Sequence, residues 1–184
     1  MLPVDPKQLT LLRPITWDEV FSTWRANEAQ QPRWIEHYTS RGFTSWEEWR
    51  SRHVVPLRLD QREWVLYRII DPLHSVPLFY GGPFTSWKQK HYGERDRLTF
   101  GELAALPAID SHEVINAMVD NFPSPTQLIG LWQLGTITIG DGMHRCCALA
   151  LAARRGRKIT PEVTIALADF SGENLALLDS VKNE

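Results

Sequence analysis

The chain has no long hydrophobic run. Its longest, Cys146 to Ala153, is eight residues, far short of the ~20 that a bilayer-spanning helix needs. It has only two cysteines, Cys146 and Cys147, and they are adjacent, so a disulfide framework of the exported kind is excluded. No charged start leads into an apolar stretch and a small-residue cleavage site, and a reducing cytoplasm is the expected compartment. Charge of one sign is not in excess either. Twenty basic residues stand against twenty-two acidic ones, for a formal charge of −2, without the global basic footprint of a non-specific nucleic-acid binder. Walker, GxGxxG and GxSxG motifs are missing, which removes the common nucleotide and hydrolase signatures.

What is present is a hydrophobic content of 43% over 184 residues, enough for a core without staples, and eight tryptophans. Seven of these, Trp17, Trp24, Trp34, Trp46, Trp49, Trp64 and Trp87, lie in the first half. Residues 1–15 show no clear period and read as a docked or loose arm. Thr16 and Glu19 match a capping box, and the helix behind them presents Trp17, Val20, Phe21 and Trp24 on one face. A second helix is expected over Arg33–Arg41, ended by Gly42, and a third behind a Ser45–Glu48 capping box with Trp46 and Trp49 inward. The face formed by Trp17, Trp24, Trp46 and Trp49 reads as a packing seam onto a sheet, with an aromatic substrate wall as its functional rival.

From Pro56 the texture changes. Residues 63–70 alternate as a strand. Thr85 or Ser86 is placed to cap a short helix around Trp87–Tyr92, and helices follow over 99–106 and 111–121. The second of these carries Val114, Ile115, Met118 and Val119 as its buried stripe. Thr126–Gln133 and Thr136–Ile139 form a hairpin about Leu134-Gly135, a helix runs from about Met143 to Arg155, and 162–168 is the last strand. Ser171 can cap a C-terminal helix through Leu178. The fold class is therefore α/β with a small mixed sheet, divided into a Trp-rich helical extension over 1–54 and an α/β domain over 55–184.

The chemistry concentrates in Thr136–Arg145. A strand, a Gly140-Asp141-Gly142 turn, a helix and a later strand make a short βαβ-like unit with the helix N-terminus at the strand's carboxyl end. Unpaired amides at that terminus favour an anion, and His144 and Arg145 add side-chain donors, Arg145 in a geometry suited to a phosphate. The bland alternative is a plain strand-to-helix turn with Asp141 as N-cap. A metal site from Asp141, His144 and Cys147 is open by spacing, since His144 and Cys147 lie three apart, but no second ligand cluster accompanies it. The run Arg154-Arg155-Gly156-Arg157-Lys158 reads as a solvated helix end rather than a nucleic-acid contact. His37, His53, His74, His91 and His112 show no metal-ligand spacing.

Asp141-Gly142-Met143-His144-Arg145, after a hairpin and before an Ala-rich helix and a strand, resembles the DG-x-HR motif of the ParB/sulfiredoxin-like superfamily. The resemblance covers roughly residues 55–170 at pattern level. It implies a nucleotide held at the motif-bearing helix end, by Gly140, Gly142, Met143, His144 and Arg145. Sulfiredoxins place their catalytic cysteine where this chain has Met143, and a thioether cannot form the thiolate that chemistry needs. Partition proteins carry a basic helix-turn-helix behind the nucleotide domain, and here a short tail follows the last strand.

The kinase-type branch, which keeps Asp-Gly before His-Arg, fits best. The expectation is a phosphotransferase using ATP or ADP on a small hydroxyl-bearing metabolite, with Asp141 and His144 in catalytic roles and Asp141 near a Mg²⁺. Glu63, Asp71 and Glu94 are the candidates for the base that takes the acceptor proton, and Gly81-Gly82 with Thr85, Ser86 and Lys88 is a loop able to close on the nucleotide. The alternatives are a non-catalytic nucleotide-responsive module that engages a protein partner through its Trp-rich surface and, behind it, a DNA-processing or nuclease-like protein. The expected partners are thus a nucleotide and a small molecule, with neither membrane nor nucleic acid.

Overall fold

A computed structural model describes Asp5 and residues 7–173. The chain enters through β1 (Leu9–Ile15), then builds α1 (Trp17–Glu28), α2 (Pro32–Thr39) and α3 (Trp46–Leu57). After β2 (Trp64–Ile69) come the short helices α4 (Pro72–Ser75), α5 (Thr85–Trp87), α6 (Phe100–Ala104) and α7 (Pro107–Asp110), then α8 (Glu113–Asp120). The hairpin β3 (Thr126–Gln133) and β4 (Thr136–Asp141), the helix α9 (Met143–Arg154) and β5 (Val163–Asp169) follow. The α/β class read from the sequence is the class observed. The expected helix from Ser171 to Leu178 falls largely outside the described residues.

The local signals explain most of these boundaries. The capping box at Thr16 is formed in full, with Glu19 N–H donating to the Thr16 hydroxyl and Thr16 N–H to the Glu19 carboxylate. At α3 the Ser45 hydroxyl accepts from Glu48 N–H, but the Glu48 carboxylate reaches one residue further back, to the amide and hydroxyl of Thr44. Neither Thr85 nor Ser86 caps α5. Its N-cap is Phe84, and the turn continues as π-helix over Lys88–Tyr92 until Gly93 at φ +60°. In α8 Ile115 and Val119 are buried, Met118 is half-buried and Val114 faces solvent, because a two-turn helix covers only a narrow strip.

The five strands are ordered β1-β2-β5-β3-β4, with β3 and β5 parallel and the other pairs antiparallel. The segment read as an arm is therefore an edge strand, pairing Leu9 with Ile69 and Ile15 with Trp64. Its residues show no period because five of its seven are exposed. The expected βαβ-like unit is also reorganised: β4 and β5 are separated by β3, so the parallel pair is β3–β5. The tight Leu134-Gly135 turn, at φ +48° and +82°, is the left-handed backbone that folds β4 back on β3 as a hairpin, and β5 takes the other edge of β3. Since β4 ends beside the start of β3, α9 begins next to Thr126, and that placement builds the site.

Both faces of the sheet are covered. One carries α4, α6, α8 and the apolar α9, with Cys146 to Ala152 at 2% exposure or less. The other carries the Trp-rich helices: Trp24, Trp46 and Trp49 pack with Trp64, Ile129, Leu131, Ala166, Ala168 and Phe170. A buried aromatic ring removes about 150–250 Å² from water, or about 4–6 kcal/mol at roughly 25 cal/mol per Å² before conformational entropy. Residue 54 lies inside α3, and the 1–54 stretch shares this second core with the sheet instead of standing off from it. None of the eight tryptophans is exposed, so the outward Trp surface expected of an interaction module is not formed. No helix among the described residues is long and apolar enough to cross a membrane.

Candidate functional site

The Trp-rich layer and the start of α9 face each other across a cleft of about 750 Å³, within the size range of small-molecule sites. One wall comes from the end of α1, α2 and α3, the other from α5, the π-turn behind it and residues 140–145. Gly142 is the hinge between β4 and α9. Its φ of +107° is left-handed, and a Cβ there would come within 2.4 Å of the Leu128 side chain, so only glycine fits on both counts. It is the N-cap of α9 and offers no side chain to the first turn. The first intrahelical bond is Cys146 N–H to Gly142 O at 2.9 Å. The amides of Met143, His144 and Arg145 lie ahead of it at the positive end of the dipole, and all three residues line the cleft.

Asp141 does not cap the helix. Its Oδ2 accepts from Arg145 Nη2 at 2.7 Å, and Arg145 Nη1 donates to Thr126 Oγ1 at 2.6 Å and to the Gln127 carbonyl at 2.9 Å. Arg145 and Asp141 are each 9% exposed, so the arginine expected to grip a phosphate is engaged as a brace between α9, β3 and β4. Met143 sits at the floor with its thioether accepting Gly82 N–H at 3.4 Å. Cys146 and Cys147 lie behind it, and burial pushes both thiols up, away from the reactive thiolate.

The facing wall carries a second buried pair that the sequence reading did not find. Glu28 accepts from Arg50 Nε at 2.9 Å and Nη2 at 2.6 Å, and from Trp46 Nε1 at 2.8 Å. The Arg50 guanidinium lies 4.0 Å from the Trp49 ring centroid and 4.5 Å from that of Trp24. Burial raises the Glu28 carboxyl, Arg50 opposes the rise and Asp141 adds to it.

Five cations, Arg33, Arg41, Arg50, Lys90 and Arg145, line the cleft against two carboxylates, Glu28 and Asp141. The carboxylates neutralise Arg50 and Arg145. Arg33, Arg41 and Lys90 have no acidic partner among the described residues. Five of the six histidines line the same cleft. His144 packs 5.4 Å from both Trp87 and His112. Burial first, then Arg33, His112, His91 and Arg145, bring the His144 pKa down to about 4. Burial and the Arg50 and Arg52 charges hold His53 at about 3. Both are neutral at pH 7, so these two imidazoles add no charge to the cleft.

Of the residues singled out from the sequence, Gly140 to Arg145, Thr85 and Ser86 are brought together at this cleft. The others are not. Glu63 is exposed at the head of β2, Asp71 caps α4 by accepting His74 N–H, and Glu94 is exposed. None of these three lines the cleft. Gly81 and Gly82 are buried under it, with Tyr92 donating to the Gly82 carbonyl at 2.8 Å. A Cβ on Gly82 would meet the Ile139 carbonyl at 2.6 Å, so this is a packed floor and not a closing loop. Lys88 pairs with Asp96 instead.

Asp141, His144 and Cys147 do not form a metal site, and among the described residues no group of three His, Cys, Asp or Glu could hold an ion. Asp141, with one oxygen on a guanidinium, does not fit a resident Mg²⁺, which takes several oxygen ligands. The basic run at the end of α9 is tied down: Arg154 and Arg155 pair with Asp110, and Arg157 with Asp120.

The residues missed by sequence reading had a signal. Arg33, His37 and Arg41 recur every four positions along and just past α2, and Arg50 and His53 stand at i+4 and i+7 from Trp46 on α3, beside Trp49, the one member of the expected aromatic wall that lines the cleft. Comparison of the chain with protein-family models, with curated proteins and with solved structures returns no match.

Proposed function

We propose that the chain binds a nucleotide in this cleft, with the phosphates at the start of α9. One observation carries the reading: Met143, His144 and Arg145, the first turn of α9, line a cleft whose three acid-free cations, Arg33, Arg41 and Lys90, belong to a protein of net negative charge. Local electropositivity in an acidic chain points to an anionic ligand, and the ringed walls suit one with a planar group. The DG-x-HR resemblance supports the same end of α9. The phosphate charge is met by arginine and lysine side chains and by the helix dipole, so binding needs no metal.

The kinase-type step implied by the resemblance fits less closely. The two carboxylates lining the cleft, Asp141 and Glu28, already serve buried arginines, and His144, lowered to about 4 by burial and neighbouring cations, is a weak base. A nucleotide-responsive binding protein is the reading favoured over turnover.

Titration calorimetry with ADP, ATP, GDP and CDP in EDTA tests both points. Micromolar binding that weakens in Arg33→Ala/Lys90→Ala and at higher salt is the expected result; no binding, or binding indifferent to both changes, overturns the site. A phosphorylated product found by mass spectrometry across a panel of hydroxyl metabolites would restore the kinase reading.

A further inference from the structure

We infer that Trp34 of α2, with the rings that continue from it along the N-terminal wall, is the station on which the base of that nucleotide stacks. The inference rests on the nucleotide reading and extends it to the part of the chain that the DG-x-HR resemblance does not cover.

The tryptophans of the N-terminal layer serve two purposes. Trp24 and Trp46, at 3% and 2% exposure, are core. Trp34 is only half-buried and lines the cleft. From it a row of rings runs across the wall: Trp34 to Trp49 at 5.4 Å, His37 edge-on to Trp34 at 5.6 Å, Trp49 to His53 at 6.0 Å, and His53 to Phe84 at 6.4 Å. Such a row offers π-surface, and every nucleobase has a π-face to match. The guanidinium groups of Arg33 and Arg50 both lie over the Trp34 ring, 5.4 Å from its centroid; Arg50 is held by Glu28, and Arg33, which has no acidic partner among the described residues, keeps an unneutralised cation beside a base stacked there.

The wall and the α9 end line one cleft of about 750 Å³, with Arg33 and Trp34 on one side and Met143, His144 and Arg145 on the other. A ligand anchored at Met143–Arg145 and stacked on Trp34 therefore joins a phosphate group to a planar heterocycle, as a mononucleotide does. Trp87, the other half-buried tryptophan of the cleft, packs on His144 at the phosphate end.

Calorimetry on the full chain separates the two ends of the ligand. Nucleoside diphosphates should bind about 5- to 150-fold more tightly than pyrophosphate, the margin that stacking on one aromatic ring supplies. Trp34→Leu should remove that margin and leave pyrophosphate affinity within about twofold, while Trp34→Phe, which keeps a ring, retains most of it. The margin surviving in Trp34→Leu, or lost in Trp87→Leu alone, overturns the assignment while the anion site stands. Pyrophosphate and nucleotides weakening equally in Trp34→Leu also overturns it. If wild type binds neither, the nucleotide reading and this station fall together.

Discussion

Removing one partner of the Glu28–Arg50 pair should be among the most damaging single changes in the N-terminal layer. Both side chains are buried, at 4% and 6% exposure, and Arg50 reaches the Glu28 carboxylate through two of its nitrogens. Glu28→Gln keeps the shape and one acceptor for Trp46 but leaves the guanidinium without a counter-charge. Breaking a buried pair in this way costs about 3–5 kcal/mol, and the retained amide contacts and the Trp24 and Trp49 faces place the expectation near the lower end, about 3 kcal/mol. In a chain of this size each kcal/mol moves Tm by roughly 2–4 °C, so a fall of about 6–12 °C is expected. Arg50→Met should cost a similar amount, because it strands the carboxylate. The double variant Glu28→Leu/Arg50→Met removes both charges and should recover most of the loss. Urea unfolding with an unchanged m-value is the assay. A single variant losing under about 1 kcal/mol, or a double as unstable as the sum of the singles, would refute this account of the pair.

Two further changes probe the α9 end. Gly142→Ala must force a left-handed backbone, costing about 1–3 kcal/mol, and also meets Leu128 at 2.4 Å, so it should lose clearly more than Gly156→Ala, where φ is +63° but nothing lies within 4 Å; equal losses in urea melts would show that the contact is harmless. Lowering the pH should destabilise the fold through His53 and His144, whose folded pKa values of about 3 and about 4 lie below the unfolded value of about 6.5. The unfolded chain then holds more protons, so stability present above about pH 6.5 declines towards pH 4 by roughly 1.4 kcal/mol per unit for each histidine. A urea midpoint that falls as steeply in His53→Asn/His144→Asn refutes the assignment.

How much of this was legible in the sequence varies with the kind of signal. Capping at Thr16 and the burial of the apolar run in α9 follow from local chemistry, and the structure agrees with both. Strand β1 was missed because an edge strand with Pro14 and five exposed residues carries no alternation. The Gly140–Arg145 segment was found as a unit, but the role of Arg145 was not, since its acceptors on Thr126 and Gln127 depend on β3 lying beside the start of α9. Glu28 was overlooked although it extends the Val20–Trp24 stripe by one turn, and a carboxylate on a buried stripe signals a buried cation somewhere in the fold. Its partner lies 22 residues on, in α3, beyond any helical spacing.

Ile15 and Trp64 are paired directly across β1 and β2, so everything between them leaves the sheet and returns at one point. The layer made by residues 16–63 is in effect a single elaborated loop closed by a strand pair, and closure entropy grows only slowly with loop length. Such a loop can be exchanged at its two adjoining ends, with α9 and its floor left as they are, provided the replacement again covers Ile129, Leu131, Ala166, Ala168 and Phe170 on that face of the sheet. The two walls of the cleft are thus separately heritable: related chains could keep the glycine hinge and change the aromatic wall wholesale, altering what is recognised without touching how it is anchored.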